Sequence, residues 1–168
     1  RTLSILFFFL LLNVSSVSSS NFNYGSGYAA KSVLASQSLI NAMDKIDNRI
    51  YAVGEHGIIL YSDDFGDSWT QAESVPYTST LTDISCSSKK SCWVTGHDAT
   101  ILHSNDYGVT WIKQYEDLGW DAPLLSIHMF DDKVGIAIGA FALSLRTVDG
   151  GQTWGYLFLD DDEFQPHL

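Results

Sequence analysis

The sequence predicts an all-β fold, a β-propeller whose four-stranded blades are each about 42 residues long. One eight-residue motif occurs three times, and the tryptophans that close it, Trp69, Trp111 and Trp154, are 42 and 43 residues apart. Upstream of each motif, short apolar segments alternate with polar or glycine-containing turns, and no helical period competes with them. Repeats of about 20 to 50 residues are typical of propellers, solenoids and arrays, and about 40 to 45 residues suit one blade.

The alignment of the three copies extends upstream of the motif without a gap. Every copy begins with a leucine and has a glycine further on at the same spacing (Leu39, Leu81 and Leu124; Gly54, Gly96 and Gly139). This constant spacing indicates a repeated supersecondary module rather than a chance motif. In the first copy, the apolar segments predict strands at residues 39–43, 49–53, 58–62 and 69–73. The predicted blades are residues 39–73, 81–115 and 124–158.

Residues 1–20 have the pattern of a secretory signal peptide. Arg1 precedes an apolar run, Ile5 to Leu12, and a stretch of small residues, Ser15 to Ser20, follows it. The run is too short to cross a bilayer, which needs about 20 apolar residues in a helix, so we expect no transmembrane anchor. A buried N-terminal strand is the alternative, and the lack of period-two alternation disfavours it. The sequence therefore predicts export to a periplasmic or extracellular location.

Cys86 and Cys92 lie on either side of a short polar segment. The apolar residues around them predict two strands joined by a turn, which places the cysteines opposite each other on a hairpin. In an oxidising compartment, neighbouring thiols normally pair. We therefore predict a disulfide between them. A zinc or redox site would need a CxxC pair and further ligands.

Three blades cannot close a propeller ring, which typically has about 4 to 8 blades. We therefore expect the chain to be a fragment of a larger ring with about six to eight blades. Residues 21–38 are rich in Ser, Ala and Gly, and we predict that they supply a ring-closing strand. Residues 159–168 are predicted to be a linker into a missing blade.

The eight-residue motif resembles the Asp-box, also called the bacterial neuraminidase repeat, whose pattern is SxDxGxTW. In such a hairpin the aspartate can accept hydrogen bonds from turn amides, the glycine can take a positive φ, and the tryptophan covers the seam between blades. A residue needed once for catalysis or calcium binding has no reason to recur in every blade. We therefore predict no catalytic residue, no metal and no cofactor. The predicted structural residues are Asp64, Gly66, Trp69, Asp106, Gly108, Trp111, Asp149, Gly151 and Trp154.

The chain is strongly acidic. Its 168 residues include 9 basic and 20 acidic side chains, a net charge of −11. Such a surface repels nucleic-acid phosphates and anionic lipid headgroups, so nucleic acid is excluded as a partner and cationic or neutral partners are favoured. The acidic run at residues 160–163 is interpreted as a solvated linker.

The turns between the second and third strands of the blades are the candidate binding positions. In a four-stranded blade these turns share one face with the links between blades, and the Asp-box turns lie on the opposite face. The turns carry different side chains at equivalent positions, and Glu55, His56, His97 and Asp98 are the candidate binding residues. Free variation of exposed turns is the alternative explanation for these differences.

A longer sequence segment resembles the sequences of a known family. Residues 52–62, AVGEHGIILYS, precede the first Asp-box, and the phrase recurs in part as Val94–Gly96 and Ile101–Ser104. Over residues 39–158 the chain is similar to the photosystem II stability and assembly factor family and its bacterial relatives. The resemblance implies an exported, non-enzymatic, seven-bladed propeller that binds a protein partner, and we expect that partner to be a membrane or envelope complex.

The chain departs from the family pattern in two places. The third blade has Ala140-Phe141-Ala142 where the family has Glu and Gly. Only Arg49 and Arg146 follow the signal segment. The basic patch attributed to family members that serve photosystem assembly therefore cannot be mapped onto this chain.

A sialidase-like glycoside hydrolase is the alternative function, because such enzymes also carry Asp-boxes on a propeller. That resemblance would require three arginines that converge on the substrate carboxylate, together with a tyrosine nucleophile and an acidic general acid. Arg1 lies in the signal segment, so only two arginines remain. The arginine count therefore favours a binding protein over an enzyme.

Overall fold

The computed structural model describes residues 27–119 and 122–157. They form three four-stranded antiparallel sheets, in each of which the strands are adjacent in sequence order. Blade 1 contains β1 (Ile40–Ile46), β2 (Arg49–Gly54), β3 (Ile59–Ser62) and β4 (Thr70–Gln71). Blade 2 contains β5 (Leu81–Cys86), β6 (Cys92–Gly96), β7 (Ile101–Ser104) and β8 (Ile112–Tyr115). Blade 3 contains β9 (Leu124–Met129), β10 (Gly135–Gly139), β11 (Ser144–Thr147) and β12 (Gly155–Tyr156).

The blades pack face to face, with their first strands side by side. The strand β5 contacts β1 on one side and β9 on the other. Tyr51 and Val53 of blade 1 belong to the same buried cluster as Leu81 and Val94 of blade 2, and a second buried cluster joins blades 2 and 3. Sheets stacked in this way around their first strands are the blades of a β-propeller. The predicted fold class, an all-β propeller with three blades present, is confirmed.

Hydrogen bonds between the first strands connect each blade to the next. The Asn41 side-chain amide donates to the Leu81 carbonyl at 2.7 Å, and the Thr82 hydroxyl donates to the Leu124 carbonyl at 2.6 Å. In both bonds a polar side chain of one blade binds a backbone carbonyl of the next blade. The junctions are therefore held by polar contacts at the first strands and by apolar packing between the sheet faces.

In blade 1 the strand limits differ from the predicted ones by more than one residue at two ends. β1 extends to Ile46, three residues beyond the predicted end, because its pairing with β2 continues to the Ile46–Arg49 pair. β4 ends at Gln71, because the chain then crosses to blade 2, where the Trp111 N–H donates to the Ser74 carbonyl at 2.9 Å. The outer strand is therefore short because the following segment pairs with the neighbouring blade.

The three Asp-box tryptophans occupy equivalent positions with different burial. Trp111 is only 2% exposed and belongs to the cluster between blades 1 and 2. Trp154 is half-buried against the cluster between blades 2 and 3. Trp69 is half-buried beside Ala35, on the side of blade 1 that no other blade covers among the described residues. Each tryptophan thus packs toward the preceding blade, or toward the segment that stands in its place.

The segment before blade 1 does not form the expected strand in its described part. Within residues 27–38, only Ala35–Gln37 forms regular structure, a single 3-10 turn. The backbone here makes isolated bonds rather than a strand ladder: the Ser32 N–H donates to the Gln71 side-chain oxygen at 3.0 Å, and the Ala29 N–H donates to the Val75 carbonyl at 2.9 Å. The predicted strand is therefore absent from residues 27–38, and ring closure by residues 21–38 stays a prediction.

Several other predictions lie outside the described residues. These are the signal peptide at residues 1–20, the linker at residues 159–168 and the acidic run at residues 160–163. Over residues 27–119 and 122–157, no helix has the length and the apolar character that crossing a membrane requires.

The side of blade 3 that faces away from blade 2 has the residue types of an interface between blades. Ile136, Ile138 and Arg146 occupy the positions that Trp93, Thr95 and His103 take in blade 2. In blade 2 this side is covered by blade 3, and Trp93 and Thr95 are buried. In blade 3 the Ile138 side chain is about half exposed, since no blade covers this side among the described residues.

Candidate binding face

One end of the blades forms the surface that we call the turn face. It consists of the turns at residues 55–57, 97–99 and 140–142, and of the links at residues 77–80, 116–119 and 122–123. All three turns have the same backbone conformation. The middle residues His56, Asp98 and Phe141 have φ of 55°, 55° and 57°, and the residues that follow also have positive φ.

Repeated backbone hydrogen bonds fix the turns. The first residue of each turn donates its N–H to the segment that enters its own blade: Glu55 to Leu39 at 3.1 Å, His97 to Thr80 at 3.1 Å, and Ala140 to Pro123 at 3.0 Å. In blades 1 and 2, the third residue donates to the link that leaves the blade, Gly57 to Ser79 at 2.8 Å and Ala99 to Ala122 at 3.0 Å. The turn face is therefore one continuous hydrogen-bonded surface, and its side chains project from a fixed backbone.

The candidates in blade 1 divide into one structural and one exposed side chain. Glu55 Oε1 accepts the Leu39 N–H at 3.0 Å, so this carboxylate satisfies a backbone donor at the entry to blade 1. Its other oxygen, Oε2, lies 3.9 Å from His56 Nε2. The His56 side chain is 78% exposed. Of the two, His56 is therefore the residue available to a partner.

The candidates in blade 2 lie beside the link from blade 1. The Tyr77 hydroxyl donates to the His97 carbonyl at 2.9 Å, and burial raises the pKa of Tyr77 to about 12. The Asp98 carbonyl accepts the Asp117 N–H at 3.3 Å. Among the described residues, none donates a hydrogen bond to the Asp98 carboxylate, which leaves it available to a cationic partner.

Sequence reasoning missed three residues of the turn face. Phe141 and Leu118 are 80% and 72% exposed, and Asp117 accepts hydrogen bonds from the Gly119 N–H at 3.0 Å and the Tyr156 hydroxyl at 3.1 Å. The place of Phe141 in a turn is visible in the sequence, where it stands as a departure from the family pattern. Leu118 and Asp117 have no sequence feature that predicts this position. They lie on the turn face because the link at residues 116–119 contacts the turn at residues 97–99.

The Asp-box turns form the opposite face and close their polar groups internally. In blade 1, the Ser62 hydroxyl donates to Asp64 at 2.7 Å and accepts the Gly66 N–H at 2.8 Å. Asp64 also accepts the N–H and the hydroxyl of Ser68, at 2.9 and 2.5 Å. These bonds from Ser68, followed by the one from Ser62, lower the pKa of Asp64 to about 2. Gly66 has φ of 96°, a conformation that costs glycine little.

The same network recurs in blades 2 and 3. Asp106 binds the N–H and hydroxyl of Thr110, and Asp149 binds those of Thr153. Burial opposes the effect of these hydrogen bonds on Asp106, but the pKa of both aspartates is lowered. A hydroxyl that was not predicted from the sequence accepts each glycine N–H, and it is supplied by Ser62, Ser104 and Thr147.

A disulfide closes the hairpin of blade 2 that lies on the Asp-box side. Cys86 and Cys92 are paired across β5 and β6, with their Cα atoms 4.0 Å apart. The loop that they close contacts both neighbouring blades. The Tyr51 hydroxyl of blade 1 donates to the Lys89 carbonyl at 2.6 Å, and the Ser87 hydroxyl donates to Asp132 of blade 3. The disulfide therefore holds a loop that connects three blades.

The polar side chains do not form a metal-binding arrangement in the part of the chain that the structure describes. There, no group of three or more His, Cys, Asp or Glu side chains is placed to hold a metal ion.

Comparison with known proteins identifies both a family and structural neighbours. The sequence model of the family described as photosynthesis system II assembly factor YCF48 matches residues 70–163. No curated protein is significantly similar to the chain in sequence. Solved structures with a similar fold include YCF48 bound to a D1 peptide, with a TM-score of 0.62 and 22% identity. YCF48 from Cyanidioschyzon merolae gives a TM-score of 0.61 and 21% identity.

These matches cover most of this chain but less than half of each neighbour. The chain is covered to 71% in both comparisons, against 40% of the peptide-bound YCF48 chain and 37% of the Cyanidioschyzon merolae chain. The GH74 enzyme of Niastella koreensis has a TM-score of 0.57 at 17% identity, over 73% of this chain and 23% of the enzyme. At such low identity, the likeness to the enzyme is one of fold alone.

Proposed function

The chain belongs to the photosynthesis system II assembly factor YCF48 family, and on this basis we propose that it is an exported, non-enzymatic propeller that binds a protein during the assembly of a membrane or envelope complex. The observation that carries the proposal is the family match, joined to the fold shared with a YCF48 that is bound to a D1 peptide. A peptide segment is therefore the first partner to consider for this chain.

The turn face suits the binding of a peptide. Its backbone is fixed by hydrogen bonds between turns and links, so little conformational entropy is lost there when a partner binds. His56, Leu118 and Phe141 project from it with most of their surface exposed. Side chains presented on a rigid scaffold are typical of binding surfaces.

The state of the carboxylates supports a non-enzymatic role. Asp64, Asp106 and Asp149 are engaged by hydrogen bonds within their own turns. Glu55 accepts a backbone N–H. A general acid needs a carboxyl group whose pKa is raised toward the working pH, whereas hydrogen bonding lowers the pKa of Asp64 to about 2. These carboxylates therefore serve the fold.

Export is the remaining part of the proposal. Its support is the signal-like pattern of residues 1–20 and the disulfide between Cys86 and Cys92. Disulfides persist in oxidising compartments and are rare in reducing ones. A periplasmic or extracellular location agrees with both observations.

Affinity isolation of the full chain from its source cells, after mild solubilisation of membranes, tests the proposal. We expect the tagged chain to be recovered from the exported fraction together with the subunits of one membrane complex. Overlapping peptides of the D1 protein, measured for binding, tell whether that complex is photosystem II. The same preparation should hydrolyse neither xyloglucan, sialosides nor aryl glycosides. Recovery of the chain alone, or reproducible hydrolysis of any of these substrates, would overturn the proposal.

A further inference from the structure

We propose that the part of the turn face formed by blades 2 and 3 binds a partner segment that combines cationic and apolar side chains. The inference rests on the proposed function and deepens it, because it states the chemistry of the partner. It is carried by two independent features, the exposed ring of Phe141 and the charge of the turn face.

Phe141 is held in an unfavourable conformation without gaining burial. Its φ is 57° and that of Ala142 is 60°, in the left-handed region that residues with a side chain rarely adopt. The equivalent pair in blade 1 ends in Gly57, which tolerates this region, and the pair in blade 2, Asp98 and Ala99, adopts it without a glycine. A buried aromatic ring could compensate for the strain, but Phe141 is 80% exposed. Because the conformation recurs in all three turns, it belongs to the turn, and what sets Phe141 apart is its large exposed apolar ring.

The charged side chains in the described segments of the turn face all have one sign. Glu55, Asp98, Glu116 and Asp117 are the charged side chains of the turn face, whose described segments contain no lysine or arginine. Lys113 of β8 pairs with Glu116. The net negative charge of the turn face therefore comes from the other carboxylates. Asp98 and Asp117 lie next to each other, since the Asp117 N–H donates to the Asp98 carbonyl at 3.3 Å.

These features define the partner. A surface that carries carboxylates and no lysine or arginine attracts cationic side chains and repels phosphate groups and acidic peptides. Phe141 and Leu118, with 80% and 72% exposure, provide apolar contact area, and an aromatic ring also stabilises a cation placed over its face. A polypeptide segment with basic residues between apolar ones satisfies both demands.

A labelled peptide of repeated Gly-Arg-Leu units is the probe, and its binding to the full chain is measured by fluorescence anisotropy. Peptides with Glu in place of Arg, or Gly in place of Leu, have the same length. We expect the Gly-Arg-Leu peptide to bind about tenfold more tightly than either. Equal affinity for all three peptides, or no binding of the Gly-Arg-Leu peptide, would overturn the inference.

The variant Phe141→Gly separates binding from stability. It removes the apolar contact and relieves the strained backbone, so we expect about tenfold weaker binding together with a Tm higher by about 2 to 4 °C. Phe65→Gly is the matched control, because Phe65 is 71% exposed with φ of 59° and lies on the Asp-box side. It should raise Tm in the same way and leave the affinity unchanged. Phe141→Asn, which also tolerates positive φ, provides a second test of the lost ring.

The charge arm of the test compares two variants with the same net charge. Asp98→Asn should weaken binding of the Gly-Arg-Leu peptide, whereas Asp67→Asn, on the Asp-box side, should not. Equal effects of the two would mean that only the net charge of −11 attracts the peptide, and would overturn the inference. A chain that binds the peptide at the turn face but is isolated without a membrane complex would overturn the proposed function and leave the surface assignment intact.

Discussion

Arg49 of blade 1 donates a hydrogen bond from Nη1 to the carbonyl oxygen of Tyr107, in the Asp-box turn of blade 2, at 2.7 Å. The same guanidinium binds Asp63 through Nε and Nη2, at 2.7 and 2.5 Å, and lies 4.6 Å from the centre of the Tyr61 ring. One side chain thus joins two Asp-box turns across the seam. The planar fork of arginine allows this arrangement, and the ammonium group of lysine does not.

Arg49→Lys should destabilise the propeller although it keeps the charge. We expect a loss of about 1 to 2 kcal/mol, mainly from the Tyr107 bond, because the Asp63 partner is more than half exposed and solvent screens that pair. The measurement is urea unfolding followed by tryptophan fluorescence. Arg146→Lys, at an exposed position of blade 3, is the control and should leave the midpoint unchanged. Similar losses in both variants would contradict the role assigned to Arg49.

The double variant Cys86→Ser/Cys92→Ser tests the disulfide of blade 2. A loop of this length is worth about 2 kcal/mol by chain entropy, and its loss also frees the loop that contacts blades 1 and 3. We expect a lower Tm and faster hydrogen exchange at Ser87, whose N–H donates to the Ser91 carbonyl at 3.1 Å. Reducing agent should lower the Tm of the wild type by the same amount and leave the variant unchanged. A shift of the variant by reductant would show that another group responds.

The repeat made the blades predictable from sequence. Each blade repeats a short-range pattern, and the Asp-box network lies within seven residues of chain, from Ser62 to Ser68. Local hydrogen bonds of this kind depend on residue type and spacing, both of which are visible in a sequence. The same holds for Cys86 and Cys92, whose pairing follows from the hairpin between them.

The contacts between blades were not predictable in this way. Arg49 and Tyr107 are 58 residues apart, and no period in the sequence connects them. Trp111 is buried whereas Trp69 is partly exposed. This difference depends on which segment lies beside each blade. Glu55 likewise accepts the Leu39 N–H because the chain enters blade 1 beside this turn. The sequence of the turn alone does not contain that information.

The Asp-box carboxylates should make stability fall in acid. The pKa of Asp64 is held at about 2, below its ordinary value of 3.8, by hydrogen bonds from Ser68. A carboxyl group whose pKa is lower in the folded state stabilises it above the ordinary pKa, and the contribution is lost as the pH falls toward the folded-state value. Asp64→Asn should therefore lower the Tm at pH 7, and the difference from the wild type should shrink between about pH 4 and pH 2.

Asp67→Asn is the matched control for this titration. Asp67 lies in the same turn, and its carboxylate accepts no hydrogen bond from the described residues. Thermal unfolding from pH 7 to pH 2 should show the pH-dependent difference for Asp64→Asn and a much smaller one for Asp67→Asn. A constant difference for Asp64→Asn across this range would contradict the stabilising role of its ionised form.

Gly54 permits the closest backbone approach in blade 1, where β2 ends beside the start of the blade. A Cβ atom at this position would lie 1.9 Å from the Leu39 carbonyl oxygen and 2.9 Å from its carbon. Backbone atoms cannot move aside as the end of a flexible side chain can, so Gly54→Ala should separate β1 from β2 at this point and cost about 3 kcal/mol. Gly155→Ala is the control, because a Cβ there meets no atom within 4 Å. Urea midpoints should differ clearly between the two variants, since the cost arises from the collision with Leu39 and not from the loss of glycine itself; equal midpoints would contradict this explanation.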